Sequence, residues 1–188
     1  MIEYLTYLNT SNPLTLCIYI STCLIYFLTP LPVTIIILLN GYLFGKKGFF
    51  LSMILVFIGS LILYLSAKFI KNYFNLYLPK IINLEKFNFK KISNSNYSIF
   101  FSRYIFPYFF HNIYYGLMKD NTFKFISIII LAEIPMIYAL NLLGSSLKEF
   151  HYNYQVASYN IFIDSNFYIP LIIILFILIL SKLFFKKK

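Results

Sequence analysis

Residues 14–45 read LTLCIYISTCLIYFLTPLPVTIIILLNGYLFG, and residues 102–118 read SRYIFPYFFHNIYYGLM. Neither is an ordinary apolar span. A full crossing of a ~30 Å hydrocarbon layer takes about 20 helical residues at 1.5 Å each. Leu14–Thr29 stops short at Pro30-Leu31-Pro32 and resumes for another 13 apolar residues to Gly45. The second region, Ile92–Met118, has Arg103, Pro107 and His111 in its middle. Proline removes a helix hydrogen bond and collides with the preceding turn, so each stretch reads as two half-helices folded back on one another, a re-entrant hairpin. The two breaks share a spacing. Pro32 is followed nine residues later by Gly41, and Pro107 nine residues later by Gly116. Each glycine is expected to close its half-helix, and each half-helix leads through a lysine (Lys46, Lys119) into a long apolar segment.

Those long segments are Gly48–Ile70 and Phe125–Gly144, and a third, Phe167–Phe185, follows. The expected fold is all-α and integral to a membrane: two inverted repeats, each a re-entrant hairpin (14–45, 99–118) plus a span (48–70, 125–144), with an extra C-terminal span (167–185). A polar linker at 71–98 and an outer loop at 145–166 join them into one membrane domain. Composition agrees. Apolar residues make up 60% of the chain and charged residues 12%, against roughly 45–50% and about 25% in soluble domains. One soluble core of this size could not hide that much apolar surface. Soluble enzymes, disulfide scaffolds and nucleic-acid-binding domains are thereby excluded. Cys17 and Cys23 lie six apart and face different sides of a helix, so they are expected to pack as free thiols. The N-terminal region has no basic stretch before its apolar run, and no removable signal peptide is expected.

Lysine placement sets the orientation. With hairpins returning to their own side, Lys46, Lys47 and Lys148 fall on one face and the other twelve lysines on the opposite face. Positive residues collect on the cytoplasmic side. The N-terminus is therefore expected outside and the C-terminus in the cytoplasm, in a bacterial-type plasma membrane. The net charge of +10 suits contact with anionic lipid heads, and the mixed Phe and Lys of residues 84–91 suit either a surface-lying segment or a solvated loop.

Few residues could carry chemistry. There are no paired catalytic carboxylates, phosphate loop, HExxH or Cys/His metal spacing, so no enzymatic activity, cofactor or metal is expected. Arg103 is the only arginine and Glu133 the only acid inside a span, two residues before Pro135. Charges at that depth need a partner or a wet cavity, and a guanidinium can grip a phosphate at two points. The two are candidates for a pair or relay lining a substrate path; the plainer reading makes Arg103 an interface anchor and Glu133 a structural acceptor. His111 can act as a proton relay or simply pack. Asn112 can bond backbone groups freed by Pro107. Tyr97, Tyr104, Tyr108, Tyr114 and Tyr115 suit an aromatic belt. Pro30, Pro32 and Pro107 mark the breaks; Gly41, Gly45, Gly116, Pro135 and Gly144 mark breaks or helix ends.

These residues carry a resemblance. Pro30-Leu31-Pro32 with Asn40-Gly41-Tyr42-Leu43-Phe44-Gly45-Lys46-Lys47-Gly48 resembles the first signature of the DedA-like, SNARE-associated (VTT-domain) membrane proteins. Arg103, Pro107, Asn112 and Gly116, then Phe125, Pro135 and Gly144, resemble the second, and together they cover roughly residues 13–148. The resemblance implies two opposed re-entrant hairpins and a role in lipid movement across bilayers or membrane homeostasis. The chain departs from the pattern at three places. Arg103 stands four rather than three residues before its proline, no acid flanks Pro30–Pro32, and Glu133 falls where relatives have a small residue. The expected function is scrambling or flipping of a phospholipid or polyprenyl phosphate. The alternatives are an ion- or proton-coupled solute transporter using Glu133 and His111, and an assembly factor docking through the lysine-rich linker. Expected partners are anionic membrane lipids, with a homo-oligomer left open and no nucleic acid.

Overall fold

The computed structural model describes residues 13–74, 96–118, 121–152 and 165–186. Among these there are seven helices and no strand: α1 Pro13–Phe27, α2 Thr34–Phe44, α3 Lys46–Phe74, α4 Asn96–Ser102, α5 Tyr108–Met118, α6 Thr122–Tyr152 and α7 Ser165–Lys186. Both proline-broken regions are pairs of short helices, α1/α2 and α4/α5. The breaks fall where proline lacks an N–H and the residue before it is pushed out of helical conformation.

Two helices are long and apolar enough to cross a membrane, over Lys46–Lys71 and Thr122–Lys148, while the apolar part of α7, Phe167–Leu183, is shorter. The helices themselves overrun the apolar windows: α3 extends past Ile70 to Phe74, and α6 runs past Gly144 to Tyr152. Hydropathy marks where a helix is greasy, whereas the backbone hydrogen-bond ladder continues through lysines and serines as readily as through leucines. So residues 71–74, 96–98, 145–152 and 165–166 are helical where a linker and a loop are expected. The remaining linker and loop positions, 75–95 and 153–164, lie outside the described residues. At its start, α6 is capped by Asn121, whose Oδ1 accepts the Lys124 N–H at 3.0 Å.

Packing follows a crossed pattern. The first half-helix of each pair lies on the long helix that follows it, α1 on α3 and α4 on α6. The second half-helix packs on the other long helix, α2 on α6 and α5 on α3, and α3 and α6 pack together between them. The terminal α7 lies against α6.

Glycines make the crossings possible. A Cβ on Gly41 would overlap the backbone carbonyl of Asn141, and one on Gly144 would overlap that of Leu38. A Cβ on Gly116 would lie 2.8 Å from that of Ala67 and against the Tyr64 carbonyl. Small residues let helix backbones approach closely in this way. Gly41, Gly116 and Gly144 are thus not helix ends. Each sits inside a helix with negative φ, because its task is contact with a neighbour. The residue that turns the chain is Gly45, at φ 57°, whose N–H donates to the Gly41 carbonyl at 2.8 Å. Lys148, within α6, donates to the Leu43 carbonyl at the end of α2 (3.4 Å). Pro135 also lies inside a helix, α6.

An apolar core, with Phe27, Ile37, Leu55 and Ile129 buried, encloses several polar side chains, while large apolar side chains also lie outside. Asn40, Ser52, Ser60, Ser102, Asn112 and Glu133 are buried, while Phe50, Ile54 and Phe57 of α3 and Leu175, Phe176 and Ile179 of α7 are exposed. Exposed apolar faces of this extent mark surfaces that meet a membrane or another protein. Cys17 is exposed, Cys23 is buried, and both are free thiols.

Candidate functional site

The two breaks meet. Residues 30–34 of the first and 103–108 of the second line a single cavity of about 430 Å³, closed by Ile37 of α2 and Glu133, Met136 and Leu140 of α6. Glu133 is 11 residues into the apolar window that begins at Thr122, ~16 Å along the helix at 1.5 Å per residue, and so sits near its mid-length.

Arg103 follows the last residue of α4 and precedes α5 by five positions. The turn that carries it is held by the N–H groups of Ile105 and Phe106, both donating to the Ser102 carbonyl at 3.1 and 3.0 Å. Its Nε donates to Glu133 Oε1, forming an ion pair between side chains that are 10% and 3% exposed. Nη1 donates to the Phe106 carbonyl at 3.3 Å. Nη2 makes no hydrogen bond to a described residue. The guanidinium carbon lies 5.0 Å from the centre of the Tyr108 ring, within cation–π range.

Tyr108 itself is fixed from the far side. Its hydroxyl donates to the Val56 carbonyl and accepts from Ser60 Oγ, both at 3.0 Å. Its ring meets Phe27 edge-on at 5.6 Å, and Gly59 leaves room for the hydroxyl, which a Cβ there would approach to 2.7 Å. Tyr104 contributes from the same break. Its hydroxyl donates to the Ala132 carbonyl, three residues before Pro135, in the turn that the proline loosens. Tyr108 and Tyr115 are therefore buried and hydrogen-bonded rather than members of an aromatic belt, whereas Tyr97 is exposed. A tyrosine immediately after a break proline was the available signal for Tyr108; sequence alone does not separate it from its neighbours.

The cavity thus gathers Arg103, Glu133, Pro30, Pro32 and Pro107, and its lining does not include His111 or Asn112. His111 Nε2 lies 2.9 Å from Ser102 Oγ, which lies 3.1 Å from the Tyr115 hydroxyl, so this trio joins α4 to α5. The imidazole also stacks on Phe125 at 6.0 Å. Asn112 Nδ2 donates to the Tyr108 carbonyl at 2.8 Å. A second buried polar group joins the first pair: the Tyr19 hydroxyl donates to Asn40 Oδ1 at 2.5 Å, and Asn40 Nδ2 donates to Ser52 Oγ at 2.8 Å. Among the described residues no group of His, Cys, Asp and Glu could hold a metal ion.

An apolar cavity with one guanidinium, one carboxylate and the starts of two helices can bind and orient an anionic oxygen-rich group. Helix α2 begins at Thr34 without a side-chain cap; the N–H groups of Ile35, Ile36 and Ile37 donate to the Pro32 and Val33 carbonyls, so what this end adds to the Arg103 charge is the positive end of its dipole. Compared with protein families, with curated proteins and with solved structures, the chain has no match.

Proposed function

We propose that this chain is a DedA-like membrane protein that moves phosphate-bearing lipid between the leaflets of a bacterial-type plasma membrane. The observation that carries the reading is the junction of two proline breaks, from separate helix pairs, at one cavity holding the sole arginine. Its volume lies within the ~300–1,000 Å³ common for small-molecule sites. In this reading the phosphate head occupies the cavity between Pro32 and Pro107 while the acyl or prenyl tails stay in the bilayer. The exposed apolar faces of α3 and α7 are lipid-facing, and the crossed packing of the two half-helices on opposite long helices reflects an inverted repeat. Such repeats in transporters place broken helices at a midplane site with helix N-termini turned to an anionic substrate. The lysine split puts the N-terminus outside and the C-terminus in the cytoplasm.

The arrangement supports the proton-coupled alternative less well, because His111 is tied to Ser102 beyond the cavity lining and Glu133 is already ion-paired. Reconstitution into proteoliposomes with a fluorescent phospholipid, followed by reduction of the outer-leaflet dye, tests the proposal. Protein-containing vesicles should expose more than half of the dye. Bleaching no greater than in empty vesicles, across phosphatidylglycerol, phosphatidylethanolamine and a polyprenyl phosphate, rejects it.

A further inference from the structure

We infer that Glu133 is a resident competitor for the anion site, so that the Arg103–Glu133 bridge and binding of a phosphate ester exclude one another. The inference rests on the anionic-head-group reading of the cavity and adds how that site is held closed. A guanidinium grips phosphate through two parallel N–H groups, along either its Nε–Nη2 side or its Nη1–Nη2 end. In this structure the first of those edges is occupied by the carboxylate, and one N–H of Nη1 is used by the main chain. Nε donates to Glu133, and Nη1 donates to the Phe106 carbonyl. Nη1 keeps a second N–H, and Nη2 has no partner among the described residues, but the Nε–Nη2 side opens to a two-point grip only when the carboxylate lets go of Nε.

Charge points the same way. Arg103 and Glu133 are the only guanidinium and carboxylate among the described residues lining the cavity, and together they carry no net charge. A phosphate added beside the intact bridge brings an uncompensated negative charge next to a carboxylate that is 3% exposed, where repulsion is poorly screened. Release of Glu133 relieves that repulsion and frees the two-point edge in one step. The Tyr108 ring beneath the guanidinium and its hydrogen bonds to α3 keep Arg103 in place while its partner changes. The neutral bridge thus lets the cavity persist without a ligand, at the cost of weaker binding of one.

The test is direct binding to the purified full chain in a neutral detergent, with dihexanoyl phosphatidate and inorganic phosphate as separate probes. Glu133→Gln, isosteric and uncharged, should bind phosphatidate at least 10-fold more tightly than the unsubstituted protein. Arg103→Gln with Glu133→Gln should lose that gain. A parallel gain for inorganic phosphate supports competition with a free anion as occupant; a gain confined to phosphatidate supports the same competition with a lipid head. Folded Glu133→Gln protein that binds neither probe more tightly overturns the inference. Should that variant fail to fold, Glu133→Asp retracts the carboxylate by one carbon, and a folded Glu133→Asp with unchanged or weaker binding overturns it equally. The outcomes are separable from those of the transport proposal. Scrambling by the unsubstituted protein without a gain in Glu133→Gln rejects only the competition, and a gain in binding without scrambling rejects only the transport.

Discussion

Gly144→Ala puts a methyl group where α6 runs over the backbone of α2. The new carbon would stand 2.9 Å from the Tyr42 nitrogen and 3.0 Å from the Leu38 carbonyl carbon, with the Leu38 oxygen nearer still. Ordinary carbon contacts are ~3.5–4.0 Å, so the two helices must separate by roughly 0.5–1 Å or more. No rotamer change relieves this, since the obstacle is main chain. Overpacking costs about 1–3 kcal/mol, and a backbone obstacle puts this site toward the upper end. At about 2–4 °C per kcal/mol for a chain of this size, unfolding should fall by roughly 4–12 °C. Cys23, 2% exposed, serves as the probe: in a Cys17→Ser background, a thiol-reactive dye in detergent reports opening of the core. Leu147→Ala, on an exposed position of the same helix, should move the midpoint by less than about 2 °C. Because Ile37 of α2 and Glu133, Met136 and Leu140 of α6 face the cavity across this contact, Gly144→Ala should also slow lipid scrambling. A Gly144→Ala midpoint within 1 °C of the parent would refute the close-packing argument.

Arg103→Ala strands the Glu133 carboxylate, and breaking a buried pair costs about 3–5 kcal/mol; Arg103→Ala with Glu133→Gln should recover folded yield in detergent but not scrambling. Tyr108→Phe removes the hydroxyl that bonds Val56 and Ser60, a loss of about 1–3 kcal/mol that thermal unfolding should register together with slower scrambling. Asn40→Ala leaves Tyr19 and Ser52 without their partner and should cost about 1–3 kcal/mol, more than Tyr19→Phe, in the same unfolding assay. For orientation, Asn94→Cys in a variant lacking Cys17 and Cys23 should stay unlabelled by an impermeant maleimide in intact cells; labelling reverses the expected topology.

The broken helix pairs were legible because proline acts locally and its effect on the backbone needs no tertiary context. The Arg103–Glu133 pair was legible for a related reason: charge is so scarce here that each instance demands compensation. Gly41 and Gly116 matter for a different reason from the one their spacing suggests. Spacing along one helix reports a helix end and a packing notch identically, and only the opposing Asn141 and Tyr64 carbonyls distinguish them. Tyr108 and the Tyr19–Asn40–Ser52 chain were hidden because their partners lie on other helices. The shared cavity was hidden for the same reason, since residues 30–34 and 103–108 meet only once both pairs have folded against α6.

The crossed packing has a consequence for the order of synthesis. Helix α2 lies on α6, whose last residue follows the end of α2 by about 100 positions, so at ~5–20 residues per second the ribosome takes roughly 5–20 s to deliver that partner. Until then the Gly41 notch has nothing to receive, and the Leu43 carbonyl waits for Lys148. The same delay applies in reverse to α5, whose seat on α3 is finished before α5 exists. The first hairpin can lie on α3 as it emerges, but it cannot complete its packing until α6 arrives. The last step of assembly is then the docking of two half-built units across the cavity that both helix breaks line.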